Sequence, residues 1–259
     1  MRIDIKNLSF KYAKNSKKVI DDLTLTIDEG SIMVLLGLNG CGKTTLIKLL
    51  AGLIRTEDGT IEYDGIDINN ITIRERSKIF SYVPQKTYIA DDFYVRDYLT
   101  YGFVNALKFY ETPKKEQLEK VKKLADEIGI DHLLDKKMGR ISGGERQIVT
   151  IASCILQDTP IILLDEPTSA LDLKNQNIVL SLLKKIASEG RTIVLSTHNP
   201  NHTLFLNSKV TLMDQGRIVR EGFATDLIKI EILKNIYGDS ICYSSDLIYE
   251  EISFKDQMR

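Results

Sequence analysis

The chain has 259 residues and a formal charge of −1, from 35 Lys and Arg against 36 Asp and Glu, with 43% hydrophobic and 27% charged residues. That balance excludes a dedicated nucleic-acid binder, which shows a basic excess, and an acidic disordered chain. Three cysteines, Cys41, Cys154 and Cys242, are too few and too scattered for a disulfide framework or a zinc site, and fit a reducing cytoplasm.

In chain order, the N-terminus Met1-Arg2-Ile3-Asp4-Ile5-Lys6 lacks the apolar core of a signal peptide. Residues 3–10 and 19–27 alternate as strands, and Glu29-Gly30 turns the chain. The unbroken apolar run Ile32-Met33-Val34-Leu35-Leu36 predicts a buried parallel strand. Leu46, Ile47, Leu49, Leu50 and Leu53 then fall at helical spacing, residues 59–65 read as a strand between turns, and residues 79–83 as a strand stopped by Pro84. From about Gln85 to Gly139 the pattern turns helical, clearest over residues 113–128, where Thr112-Pro113 opens a segment dense in Lys and Glu. A helix at about 144–157, a strand at 161–164, a helix at about 175–189 and a strand at 192–196 follow. The alternation predicts βαβ units around a mostly parallel sheet, with a helical insert. No apolar run approaches the about 20 residues of a membrane span, so a membrane role is expected to come through a partner.

Two stretches carry chemistry by themselves. Gly37-Leu38-Asn39-Gly40-Cys41-Gly42-Lys43-Thr44-Thr45 fits the phosphate loop G-x-x-x-x-G-K-[ST]. Its glycines let backbone N–H groups turn inward on phosphate oxygens, and the following helix N-terminus adds partial positive charge. Lys43 is expected to reach the β and γ phosphates and Thr44 to ligate Mg²⁺. The Cys41 thiol is read as incidental, since this loop contributes backbone. The second stretch, Ile161-Ile162-Leu163-Leu164-Asp165-Glu166-Pro167, is an apolar strand ending in two acids. Ligands of an open α/β sheet sit at that edge. Asp165 is expected to hold the Mg²⁺ shell, and Glu166 to orient or deprotonate an attacking water.

Between them lies Ile141-Ser142-Gly143-Gly144-Glu145-Arg146-Gln147, which resembles the L-S-G-G-Q signature of ATP-binding cassette (ABC) ATPases. Over roughly residues 3–222 the other motifs of that family follow in order. Tyr12 resembles the aromatic that stacks on adenine. Gln85, in Tyr82-Val83-Pro84-Gln85, is similar to the glutamine that senses Mg²⁺ and the transmembrane partner. Ser169-Ala170-Leu171-Asp172 resembles the dimer-contact loop, and His198 the switch histidine on the γ-phosphate; His132 and His202 are read as structural. Glu145 stands for the usual Gln, Asn199 for an Asp, and Ser153-Cys154 for an Arg-Ala pair.

The resemblance implies an α/β fold: a P-loop NTPase-like core with a mostly parallel sheet, an N-terminal antiparallel β subdomain and a helical subdomain at about 86–158. The cassette would span 1–222, leaving 223–259 as a short C-terminal extension, too short for the regulatory domain of some sugar and amino-acid importers. It also implies ATP and Mg²⁺ as cofactors. A second copy or a related ABC subunit would present Ser142, Gly143, Gly144 and Glu145 to the bound γ-phosphate. Residues 171–176 and 198–204 look like those of importers for iron-siderophore, haem, cobalamin or molybdate. The expected partners are integral-membrane permease chains, with a substrate-binding protein acting indirectly and no nucleic acid, and the expected place is the cytoplasmic face of the membrane. The alternative is a soluble ABC ATPase of iron–sulfur cluster assembly type. Two-cassette translation factors and DNA-repair proteins with a long coiled-coil insert do not fit this chain.

Overall fold

The computed structural model describes residues 1–56, 58–87, 89–105 and 112–238. Among them run strands β1 (Ile3–Phe10), β2 (Ile20–Ile27), β3 (Ile32–Leu36), β4 (Asp58–Tyr63), β5 (Ile66–Asp67), β6 (Phe80–Val83), β7 (Ile161–Leu164), β8 (Thr192–Thr197), β9 (Lys209–Asp214) and β10 (Arg217–Phe223). The helices are α1 (Lys43–Leu50), α2 (Ile73–Ile79), α3 (Val95–Thr100), α4 (Lys115–Glu127), α5 (Gly143–Leu156), α6 (Leu173–Ser188), α7 (Pro200–Leu206), α8 (Ala224–Leu227) and α9 (Ile230–Tyr237).

Two sheets form. A four-stranded sheet has the order β2-β1-β4-β5, and its pairs are antiparallel. A six-stranded sheet has the order β10-β9-β3-β8-β7-β6, parallel throughout except for the β9–β10 hairpin at one edge. The uninterrupted apolar runs lie inside this sheet because each of its faces is covered. The period-two alternation of a strand sorts their side chains into two cores. Met33, Leu35, Ile161, Leu163 and Val194 point into one core, with α1 and the antiparallel sheet. Val34, Ile162, Leu164, Ile193 and Leu195 point into the other, with α5 and α6. A third cluster, Leu36, Val210, Leu212, Ala224, Leu227 and Leu233, seats α9 against the β9 side.

The parallel core, the antiparallel sheet and the helices inserted between β6 and β7 match the predicted class. Boundaries moved where backbone geometry overrides periodicity. α1 begins at Lys43 rather than near Leu46, because Gly42 takes φ +110° as its N-cap, and it ends at Leu50 before Gly52 at φ +58°. The predicted helix over 113–128 narrows to Lys115–Glu127. α2 was not predicted, since none of its residues is buried and it shows no apolar stripe; its local signal is a capping box in which Thr72 and Glu75 exchange hydrogen bonds. Cys242 and the rest of 239–259 lie outside the described residues.

Candidate functional site

Because β3, β8, β7 and β6 are parallel neighbours, their C-terminal ends share one edge: Leu36 pairs with Thr197, Leu164 with Leu195 and Val83 with Leu164. The phosphate loop leaves β3 there, Gln85 follows β6, Asp165 and Glu166 follow β7, and His198 follows β8. A cavity of about 280 Å³ opens at this edge, lined by Asn39, Gly40, Lys43, Thr44, Gln85 and Glu166.

Two glycines of the loop stand where the backbone leaves no room for a side chain. A Cβ on Gly37 would lie 2.3 Å from the Met213 carbonyl oxygen, and one on Gly42 would lie 2.8 Å from the Val19 carbonyl oxygen at a left-handed φ. No side chain caps the first turn of α1, so its N–H groups face the cavity without a side-chain acceptor. Lys43 is buried at 4% exposure, and its ammonium donates to the carbonyls of Gly37 (2.8 Å) and Leu38 (3.0 Å). Across from it, Asp165 is buried at 1% exposure; one carboxylate oxygen accepts from Thr44 Oγ1 (3.0 Å) and Ser196 Oγ (2.7 Å). Neither Lys43 nor Asp165 makes an ion pair among the described residues. A buried charge without a counter-charge is expensive. An anion on Lys43 and the α1 N–H groups, with a divalent cation on Thr44 and Asp165, would satisfy both, so these residues fit a nucleotide phosphate and Mg²⁺.

Glu166 sits at φ +46°, the left-handed region that an L side chain enters only at a cost of about 1–3 kcal/mol when its surroundings hold it there. Its N–H donates to Ser196 Oγ (2.9 Å), its Oε2 accepts from Gln85 Nε2 (3.3 Å), and His198 Nδ1 lies 3.4 Å from the same oxygen. Tyr12 stands beside the loop, more than half exposed. Its ring meets Phe10 edge-on at 5.0 Å, and its hydroxyl shares a 3.1 Å hydrogen bond with Thr45 Oγ1. The Cys41 thiol is buried beneath the loop and burial raises its pKa, in keeping with a packing role.

The fold thus gathers Tyr12, the loop residues 37–45, Gln85, Asp165, Glu166 and His198. None of Ser142, Gly143, Gly144, Glu145 and Asp172 lines the cavity. Ser142 is the N-cap of α5: its hydroxyl accepts from Glu145 N–H (3.2 Å), and Glu145 accepts from Ser142 N–H (2.7 Å). That backbone bond lowers the Glu145 pKa, and it explains why an acid serves where Gln is usual. A Cβ on Gly144 would come within 3.6 Å of the Ala170 carbonyl, so the signature abuts the 169–172 loop, whose Asp172 caps α6 through Asn175 N–H (2.8 Å). Ser153 bonds the Tyr98 carbonyl at 3.5 Å.

Sequence reasoning missed Ser196, which binds both Asp165 and Glu166; its only signal was a hydroxyl at the end of an apolar strand. His202 is structural in the sense of being buried, and burial pushes its pKa down to about 4. The folded ring therefore resists a proton that the unfolded ring takes up from its ordinary value near 6.5. Stability is expected to fall as pH drops from about 6.5 to about 4, by up to about 3 kcal/mol, and not above that window. Denaturant melts across this range should show the slope in the native chain and lose it in His202→Gln; equal slopes in both would remove His202 as its source.

Residues 20–169 match the family described as ABC transporter. The iron chelatin transport ATP-binding protein of Helicobacter pylori (strain ATCC 700392 / 26695), provisionally so named, is 36% identical over 203 residues, 78% of this chain and 79% of that one. The iron(3+)-hydroxamate import ATP-binding protein of Bacillus subtilis (strain 168) is 29% identical over 246 residues, covering 90% and 91%. A solved inward-facing transporter, provisionally described as of metal-chelate type, aligns with a TM-score of 0.76 at 32% identity over 91% of this chain and 88% of that one.

Proposed function

This chain belongs to the ABC transporter family, and from that premise we propose that it is the ATP-hydrolysing subunit that drives import of an iron chelate through separate integral-membrane permease chains. It works from the cytoplasmic face as a head-to-tail pair of cassettes, and a substrate-binding protein meets the permease on the far side. No helix among the described residues is long and apolar enough to cross a membrane. The observation that carries the ATPase reading is the opposed pair of buried, unpaired charges, Lys43 and Asp165, at one sheet edge. The names of the iron chelatin and hydroxamate relatives support the cargo class, with haem, cobalamin and molybdate as neighbouring choices. They favour transport over a soluble iron–sulfur assembly role.

In this reading Lys43 and the α1 N–H groups hold the β and γ phosphates, and Tyr12 stacks on the adenine. Thr44, Asp165 and Gln85 hold Mg²⁺, which when bound neutralises phosphate charge. Glu166 Oε2 accepts the proton of the attacking water, and His198, beside that oxygen, touches the γ-phosphate. Ser142 and the N–H groups of Gly143 and Gly144 at the α5 N-terminus come from the second subunit; that none of them lines the cavity beside its own chain's loop supports this. The cassette is assigned to 1–222, with its helical subdomain at about 86–158, and 223–259 to a short extension.

Copurification from detergent-solubilised membranes is expected to retrieve a hydrophobic permease, whereas a soluble scaffold alone would overturn the transport reading. Tyr12→Ala is expected to weaken ATP binding about tenfold and to leave ATP and GTP nearly equal, because stacking is worth about 1–3 kcal/mol on any base. Tyr12→Phe keeps the ring and loses only the Thr45 bond, so it should bind like the native chain. Dissociation constants for both nucleotides check this; an unchanged ATP affinity in Tyr12→Ala returns the ring to a packing role.

A further inference from the structure

Residues 171–176 and 198–204, which mark the importer subclass in the sequence, meet in the fold at a buried ring. His202 Nε2 lies 3.3 Å from Gln176 Oε1 and 3.2 Å from Asn199 Nδ2, while its Nδ1 faces the hydroxyls of Thr197 (3.1 Å) and Thr168 (3.4 Å). We infer that His202 is a positioning residue that ties the loop carrying His198 to the loop carrying Asp172, through a ring proton for which Gln176 and Asn199 make opposite demands. The inference rests on the reading of those two loops given above.

The two amides cannot turn to suit the ring. Gln176 Nε2 donates to the Leu171 carbonyl (2.9 Å) and the Thr168 carbonyl (3.4 Å), which leaves Oε1 facing His202 as an acceptor. Asn199 Oδ1 accepts from Asn201 N–H (3.0 Å) at the start of α7, which leaves Nδ2 facing His202 as a donor. A neutral imidazole has one N–H and one lone pair. With the proton on Nε2 the ring binds Gln176, and through it the 168–171 segment just beyond Glu166. With the proton on Nδ1 the ring accepts from Asn199, beside His198. The Thr168 and Thr197 hydroxyls can donate or accept, so they tolerate both forms. Burial keeps the ring neutral, which preserves the choice. A movement of either loop, such as a second subunit pressing on residues 169–172, shifts the proton and so the hold on the other loop.

Nitrogen NMR of the nucleotide-free protein at neutral pH tests the proton directly. The chain has three histidines, so a His202→Gln spectrum assigns the ring. Gln176→Met should move it to the Nδ1–H form. Asn199→Asp, which keeps the bond to Asn201 N–H but can only accept, should move it to the Nε2–H form. A ring whose tautomer responds to neither variant overturns the bridge.

Steady-state ATPase measurements test the coupling. His202→Leu should lower kcat about tenfold with KM for ATP within about twofold, because no phosphate or base contact is touched. His202→Gln, whose amide donates to Gln176 and accepts from Asn199 at once, should recover to within about threefold of native kcat. Gln176→Met combined with His202→Leu should be no worse than His202→Leu alone. A His202→Gln that melts normally yet loses as much kcat as His202→Leu, or a double variant whose losses multiply, also overturns it. If the native chain hydrolyses no ATP, the ATPase reading fails, while the tautomer response still decides the bridge.

Discussion

Lys43→Ala is expected to lower ATP turnover by about 10²- to 10³-fold or more and to weaken nucleotide binding with it. The side chain brings a full positive charge into a site where water is nearly excluded, at 4% exposure, and no carboxylate among the described residues neutralises it. Its present partners, the carbonyls of Gly37 and Leu38, belong to the loop that would wrap the phosphates. Alanine removes both the charge for the phosphates and the tie that shapes the loop. Lys43→Met keeps most of the buried stem and isolates the charge, so it should lose turnover to the same degree while melting close to the native chain. Radiolabelled ATP hydrolysis and nucleotide-binding titration check both variants, and near-normal turnover by either would sink the phosphate-loop assignment.

Glu166→Gln is expected to trap an ATP-bound dimer of this chain. Glutamine keeps the length and shape that the left-handed backbone at this position holds in place, and it can still pair with Gln85. It cannot take a proton from water, so the step that separates the subunits fails. Binding survives because Lys43, Thr44 and Asp165 are untouched. Size-exclusion chromatography should show a dimer with ATP and Mg²⁺ and a monomer with ADP. Adding Ser142→Arg should disperse the dimer, because the bulky cation would fill the space through which the α5 N-terminus approaches its partner. Loss of the Ser142 cap costs only about 1 kcal/mol, too little to explain dispersal by unfolding. A dimer that survives Ser142→Arg would place the signature away from the interface. A Glu166→Gln variant that stays monomeric with ATP would refute closure by the cassette pair alone.

What the sequence by itself determined is what short-range patterns encode. The glycine spacing of residues 37–45 requires the backbone turn that the structure shows, because Gly37 and Gly42 stand where a Cβ cannot. The runs Ile32–Leu36 and Ile161–Leu164 announce strands buried on both faces, and the alternation of strand and helix announces a parallel sheet. Ser142 with Glu145 is a local capping pattern, legible from four residues. Only the tertiary structure decided the rest, because it depends on which strands become neighbours. Thr44 meets Asp165 across 121 residues of chain since β3 and β7 flank β8, and Ser196 joins them from the end of that middle strand. No periodicity in residues 200–206 or 171–176 says that His202 and Gln176 will touch. Their contact follows from α6 and α7 packing together, which seats a polar ring between two loops. Side-chain pattern fixes the local conformation, but strand order and packing are settled by burying all the apolar faces together, and it is that long-range settlement that assembles the site.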